Sequence, residues 1–302
     1  KDGEAYAWED FHLDAAIKFS EITEGDVVFL TPTLASPSTQ QILEEFKAAY
    51  PDLNVRHVVY DAISENAATA AYQQVYGKRG MADYDFSKAD YIVSIDADFL
   101  ANWQGGGYDN GYAQGRVPKK GKMSRHIQFE SNLSLTGANA DHRFPLNSTE
   151  LNQVLVKIFS AVTGSSVNAG TTAADEALSG IISDIKKHGS KAVVVSGIQD
   201  VNAQLLVLAI NAALQSEAFD PKQPRLIREG HSAAELDTLL SDMESGTVKA
   251  LILNNVNPVY SLPNGDAFAE ALKKVEFTMA FAHRPDETTA HVQYLAPLSH
   301  NL

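Results

Sequence analysis

The feature that most constrains this chain is a repeating alternation. Short, continuous apolar runs are separated by longer stretches with helical spacing. Residues 27–30, 55–60, 91–95, 126–129, 192–195, 249–253 and 277–281 read as strands. Between them, 38–49, 66–76, a stretch capped at Thr149, 173–187, 201–214, 233–243 and 267–274 read as helices. Continuous apolar strands with intervening helices imply parallel sheets covered on both faces. Right-handed crossovers then give two doubly wound α/β units. The small, polar stretch Thr163-Gly164-Ser165-Ser166-Val167-Asn168-Ala169-Gly170 is the expected boundary, which sets the domains at 1–163 and 164–302. A length of 302 residues suits two cores.

Composition removes several functions at once. The chain has no cysteine, which excludes disulfides, Cys-type zinc sites, cysteine-ligated clusters and a Cys nucleophile within it. With 24 Lys+Arg against 38 Asp+Glu, its net charge of −14 argues against a non-specific nucleic-acid binder. No apolar run approaches the roughly 18–20 residues needed to span a bilayer, so direct membrane insertion is not expected. The chain opens at Lys1 and closes at Pro297-Leu298-Ser299-His300-Asn301-Leu302, and it reads as a soluble piece of something larger.

Ligands of doubly wound sheets bind outside the carboxyl ends of the strands, so four loops are candidate sites. Thr31-Pro32-Thr33-Leu34-Ala35-Ser36-Pro37-Ser38 carries hydroxyls before a helix, suited to an anion or to simple capping by Ser38. Asp96-Ala97-Asp98 ends a buried strand and precedes Gly105-Gly106-Gly107. On an extended chain both carboxylates leave the same side. They could then hold a divalent metal and a nucleotide diphosphate, as in a nucleotide-sugar transferase. Acidic residues at a strand end are also ordinary. Asn254-Asn255-Val256-Asn257-Pro258 suits ligand hydrogen bonds or a tight turn. His283-Arg284-Pro285-Asp286-Glu287-Thr288-Thr289-Ala290-His291 lacks HExxH spacing and reads as a polar loop with a helix start near Asp286 or Glu287. The basic run Arg116-Val117-Pro118-Lys119-Lys120-Gly121-Lys122 reads as a solvated loop or a docking patch. No GxGxxG, GxxxxGK[ST] or GxSxG pattern is present.

Longer strings carry a resemblance. The segment 249–258, then Leu262-Pro263-Asn264, Phe268, Leu272, Glu287-Thr288-Thr289-Ala290 and Leu295-Ala296-Pro297 resembles the close of the central domain of molybdopterin oxidoreductases of the dimethyl sulfoxide reductase type. Residues 88–95 resemble that family's strand before its Gly-x-Asn turn, and 136–141 the segment after its Asp-Pro-Arg strand. Four positions depart from the pattern, one being the Ala-Asp after the Glu-Thr-Ala motif, which reads Val292-Gln293. The Gly-x-Asn turn reads Asp96-Ala97-Asp98, Asp-Pro-Arg reads Glu130-Ser131-Asn132, and Pro-Gly-Thr-Asp reads Asn147-Ser148-Thr149-Glu150. Two added carboxylates and a lost cation repel a pyrophosphate. The runs 103–116 and 123–130 resemble more narrowly the molybdopterin-like half of the large iron–sulfur subunit of bacterial alternative complex III, a quinol-oxidising membrane complex.

The family's cofactors are molybdenum bis-molybdopterin guanine dinucleotide and iron–sulfur clusters. The resemblance implies that this chain binds neither and is not catalytic alone. It implies a scaffold on the periplasmic side of the membrane, packed against the iron–sulfur domain of the same subunit and against other subunits. A vestigial cofactor cleft would then be marked by Asp96, Asp98, Asn132, Thr149, Asn255, Asn257, Glu287 and Thr288. The alternatives are excised domains of an active enzyme of that family and the Asp-x-Asp transferase.

Overall fold

The computed structural model describes residues 1–118, 121–226, 228, 230 and 233–299. The chain opens with α1 (Trp8–Glu21), β1 (Asp26–Thr31), α2 (Pro37–Ala49) and β2 (Asn54–Val59). Then follow α3 (Asn66–Tyr76), β3 (Met81–Tyr84), β4 (Tyr91–Ile95), α4 (Asp109–Arg116), β5 (Arg125–Glu130), α5 (Leu135–Ala138) and β6 (His142–Pro145). Next come α6 (Ser148–Thr163), α7 (Asp175–His188), β7 (Ala192–Ser196), α8 (Val201–Leu214) and β8 (Phe219–Arg225). The chain closes with α9 (Ala233–Glu244), β9 (Val248–Asn254), α10 (Pro258–Ser261), α11 (Gly265–Leu272), β10 (Phe277–Ala282) and β11 (Tyr294–Pro297).

These elements form two compact units, one of residues 1–64 with 228–302 and one of 65–227. The first holds a parallel sheet in the order β11-β10-β9-β1-β2. Its central strands alternate as a sheet covered on both faces must. Leu251 and Leu253 pack into one core, and Ala250 and Ile252 into the other. The second unit holds a parallel sheet in the order β6-β5-β4-β7, with an antiparallel pair β3-β8. Tyr91, Val93 and Ile95 of β4 enter one core and Ile92 the other. Among the described residues no helix is long and apolar enough to cross a membrane.

The two doubly wound units expected from the sequence are present, but the division falls elsewhere than at 163/164. The Thr163–Gly170 stretch lies inside the second unit, as the loop between α6 and α7. Gly164, at φ +76°, is the left-handed residue that ends α6, so the small-residue composition serves a helix cap there. The division is set instead by the pairing of β1 with β9, which makes the first unit discontinuous. Two capping assignments also change. Ser36, not Ser38, caps α2, its hydroxyl accepting the Thr39 N–H at 3.3 Å, with Pro37 at the first helical position. Asn147, not Thr149, caps α6 in a reciprocal capping box with Glu150.

Candidate functional site

In the second unit the strand order reverses between β4 and β7, and a ligand crevice is expected at their carboxyl ends. The chain's own groups fill that end. Gly197 follows β7, and a Cβ on it would lie 2.0 Å from the backbone oxygen of Asp96, so the two loops touch. The Ser196 carbonyl accepts the Trp103 indole N–H and the Gln204 amide, each at 3.1 Å. The Glu65 carboxylate accepts the Gln104 backbone N–H at 3.1 Å and the Gln199 amide at 2.9 Å, tying the two loops together. The Gly-rich run is not an open cradle. Gln104 to Gly107 take four consecutive left-handed conformations, φ +47°, +82°, +75° and +88°. Arg225 donates to the Gly106 carbonyl at 3.1 Å and lies 4.8 Å from the centre of the Tyr108 ring.

The Asp-x-Asp pair does not act as a pair. Its argument needed extended backbone, and Asp96 sits at φ +58°, which breaks the alternation. Asp98 is engaged already: its Oδ1 accepts the Thr136 N–H at 3.0 Å and the Thr136 hydroxyl at 2.7 Å. Asp96 is exposed, with a long contact from the Ser131 N–H at 3.5 Å. Partial desolvation raises its carboxyl above the usual range, and the charge of Glu130 adds to this. Among the described residues no group of three or more His, Asp or Glu is arranged to hold a metal. Asn132 lies exposed in the loop after β5, and Thr149 is exposed in the first turn of α6.

Sequence reasoning missed Glu130 as a centre of this end. It is 2% exposed and ion-paired to Arg143 of β6. It also accepts the Ser134 N–H at 3.3 Å and the Ser134 hydroxyl. Burial alone would raise its carboxyl, but Ser134 and Arg143 hold it below the ordinary range. Glu130 closes a buried polar row on one face of β5. His126 meets Gln128 at 3.2 Å, and Gln128 donates to Glu130 at 3.2 Å. Burial lowers the His126 pKa to about 4. The signal was present in the alternation His126-Ile127-Gln128-Phe129-Glu130, whose polar members share one face.

In the first unit, Asn257, Glu287 and Thr288 do come together. Asn257 donates to Glu287 at 2.7 Å and accepts from the Thr288 hydroxyl at 2.7 Å and N–H at 3.2 Å. The buried Thr288 hydroxyl accepts the Val259 N–H at 3.0 Å, so the Asn-Pro turn and the Glu-Thr-Thr segment form one clamp. Hydrogen bonding to Asn257 lowers the Glu287 carboxyl, and Arg284 adds to this. Asn255 is exposed at φ +53°. Around the clamp lies an open cleft of about 950 Å³ at the ends of β9 and β10, lined by Asn255, Asn257, Tyr260, His283, Arg284 and Glu287 among others. The helix start expected near Asp286 is a short turn there, with Asp286 accepting the Thr289 N–H at 2.8 Å. Of the basic run, Arg116 is ion-paired to Asp141 at 2.7 Å, and Lys119 and Lys120 lie outside the described residues.

Comparison with known proteins agrees with this architecture. No protein-family profile matches the chain. It is 26% identical over 268 residues to the menaquinone reductase molybdopterin-binding-like subunit of Nitratidesulfovibrio vulgaris, an alignment covering 75% of this chain and 39% of that relative. The fold matches acetylene hydratase from Pelobacter acetylenicus with a TM-score of 0.65 at 13% identity, over 98% of this chain and 53% of that one. It also matches a chain of the formyltransferase/hydrolase complex from Methylorubrum extorquens, solved with methylofuran, with a TM-score of 0.57 at 13% identity. That match covers 98% of this chain and 84% of the other. The chain thus spans well under two thirds of the curated relative and of acetylene hydratase. The fold is mixed α/β, with parallel sheets flanked by helices, as the sequence implied. The chain is similar in sequence to a molybdopterin-binding-like subunit.

Proposed function

We propose that this chain is the central part of a molybdopterin-oxidoreductase-like subunit of a respiratory electron-transfer complex of the quinol-oxidising, alternative complex III type. In this reading it is a cofactor-free scaffold on the periplasmic side of a bacterial membrane. It packs against the iron–sulfur domain of the same subunit and against other subunits, and it has no catalysis of its own. The similarity to a molybdopterin-binding-like subunit of a menaquinone reductase supports the complex and the quinone chemistry.

The observation that carries the reading is the closed strand end between β4 and β7. Gly197 stacked on the Asp96 carbonyl, the capped Ser196 carbonyl and the Glu65 tie crowd the crevice in which ligands of such sheets bind. The carboxylates of Asp96 and Asp98 there carry the same sign as a pyrophosphate, while the Glu130 charge is compensated by Arg143. At this strand end the residues do not fit a pyrophosphate-bearing pterin, and no chemical step is placed on one.

Metal and pterin analysis of the full-length protein, purified from its native host, tests this. The expected result is no molybdenum or tungsten and no pterin fluorescence on acid oxidation attributable to this subunit. In parallel, titration calorimetry of the 302-residue chain with a guanine dinucleotide should give no tight binding. Stoichiometric metal and pterin, or sub-micromolar dinucleotide binding, would overturn the reading.

A further inference from the structure

The two carboxylates at the closed strand end do something more specific than fill it. Asp98 holds Thr136 by both its N–H and its hydroxyl, and the Thr136 hydroxyl in turn accepts the Leu100 N–H at 2.9 Å. Glu130 holds Ser134 by its N–H and hydroxyl, and the Ser134 hydroxyl accepts the Gly137 N–H at 2.9 Å. The turn sits directly on the Glu130 carboxylate, since a Cβ at Gly137 would lie 1.9 Å from it. Residues 131–138 are therefore anchored at two points, to the end of β5 and to the loop after β4.

Beside the exposed Ser131 and Asn132, this anchored turn presents two large apolar side chains outward. Leu133 is 70% exposed and Leu135 is 55% exposed, on either side of the pinned Ser134. A loop serving only to connect β5 to β6 would be expected to turn polar side chains to water. Single exposed leucines need no explanation, but two on a turn fixed by paired carboxylates form a preorganised apolar knob. Beside it lies Asp96, whose only contact with this turn is the 3.5 Å approach of the Ser131 N–H. Among the described residues no Lys or Arg is ion-paired to Asp96; at this end of the sheet Arg143 is spent on Glu130, and Arg225 on Asp83 and the Gly106 carbonyl. Asp96 is thus an exposed carboxylate without a cationic partner, and a cation is favourable beside it.

We infer that the Leu133–Leu135 turn with Asp96 is a docking surface for a partner polypeptide that presents an apolar pocket flanked by Lys or Arg. The inference rests on the scaffold reading and gives it a contact surface. The pocket receives the two leucines, and the partner's cation neutralises Asp96. The former ligand end of the sheet becomes a protein–protein contact. Preorganisation lowers the entropy lost on docking, because the turn is already fixed.

The test uses the intact native assembly. Hydrogen exchange of the backbone amides of residues 131–136 should be slowed at least tenfold in the assembly relative to the isolated chain. A photo-crosslinking amino acid at Leu135 should capture another polypeptide at a peptide containing Lys or Arg. The double variant Leu133→Ser/Leu135→Ser should weaken association at least tenfold while leaving the melting temperature of the isolated chain unchanged. Asp96→Asn, which keeps a residue tolerant of the left-handed backbone, should weaken association and reduce its salt dependence. Unchanged exchange at 131–136 in the assembly would overturn the inference. So would crosslinks only to lipid or to a second copy of this chain, or full association of the double-Ser variant. A pterin found in the protein would instead sink the scaffold reading and leave these readouts standing, so the two failures are distinguishable.

Discussion

The edge strand β7 offers a sharp test of how the second unit is held together. It pairs on one side with β4 alone, yet all five of its residues, Ala192 to Ser196, are buried. On its other side Asn211 of α8, itself fully buried, acts as a one-residue substitute for a neighbouring strand. Its side-chain oxygen accepts the Val194 N–H at 3.0 Å, and its amide donates to the Val194 carbonyl at 2.6 Å. The same amide also reaches the Val207 carbonyl at 3.1 Å. Asn211→Leu keeps the branched four-atom side chain and removes all of this. Each buried backbone group left without a partner costs about 1–3 kcal/mol, so losing both Val194 bonds should cost about 2–6 kcal/mol. That is a large share of the roughly 5–15 kcal/mol that typically separates folded from unfolded. The assay is native-state hydrogen exchange at the Val194 amide, combined with urea unfolding followed by circular dichroism. Asn152→Leu, at an exposed position of α6, is the control and should stay within about 0.5 kcal/mol. A loss below about 1 kcal/mol, with Val194 protection unchanged, would refute the argument that Asn211 seals this edge.

Two further outcomes are expected. Because the His126 pKa is about 4 in the folded state against 6.5 as the ordinary value, the unfolded chain binds the extra proton between those values. The contribution is therefore complete above pH 6.5 and is lost as pH falls to about 4, a change of roughly 3 kcal/mol. Urea titrations across this window should show the slope, and His126→Phe should be less stable at neutral pH but flatter in its dependence. Of the groups that act on that ring, Tyr112 stays neutral and Arg116 charged throughout this window, and Asp141 and Glu130 are present in both proteins, so the difference reports His126. For the closed strand end, Gly197→Ala forces a Cβ onto the Asp96 carbonyl and should lower the melting temperature by several degrees. Gly180→Ala, inside α7 with nothing within 4 Å, should raise it slightly, by about 0.5–1 kcal/mol of helix propensity. Equal melting temperatures for the two variants would contradict the contact at Gly197.

Elements with strong apolar periodicity were legible in the sequence to the residue. The bounds of α3, β4 and α8 match expectation: β4 is a continuous buried run, α8 buries 203, 204, 207, 208, 210 and 211 at helical spacing, and α3 ends at the left-handed Gly77. What the sequence hid has physical causes. β8 carries Pro221 and Pro224 in a polar run, since it belongs to a two-stranded ribbon with no large sheet to bury it. α4 contains Gly111 and Gly115, where an added Cβ would press on the Phe86 and Ser87 backbone and on the Ser124 side chain, so close packing overrides helix propensity there. β6 and β11 are four-residue edge strands, too short to show a period. At the candidate site, the separate motifs at 255–257 and 287–288 were visible, and the structure adds that they bond to one another. Asp98 was visible as a carboxylate at a strand end, but its partner Thr136 is far along the chain, a tertiary fact no local pattern carries.

The discontinuity of the first unit has a consequence for how the chain is made. β1 is a central strand, and its neighbours are β2, which follows directly, and β9. Roughly 190 residues separate the end of β2 from the start of β9, and at ~5–20 residues per second a ribosome needs roughly 10–40 s to produce them. Throughout that interval Val27, Val28 and Leu30, all at 0% exposure in the finished fold, have only half their sheet. The intervening 65–227 segment can meanwhile close its own sheets, since every strand it needs is already synthesised. Nascent chains of this protein should therefore pass through a stage with a completed insert and an unfinished host, in which an unpaired β1 edge is the group a holding chaperone must shield.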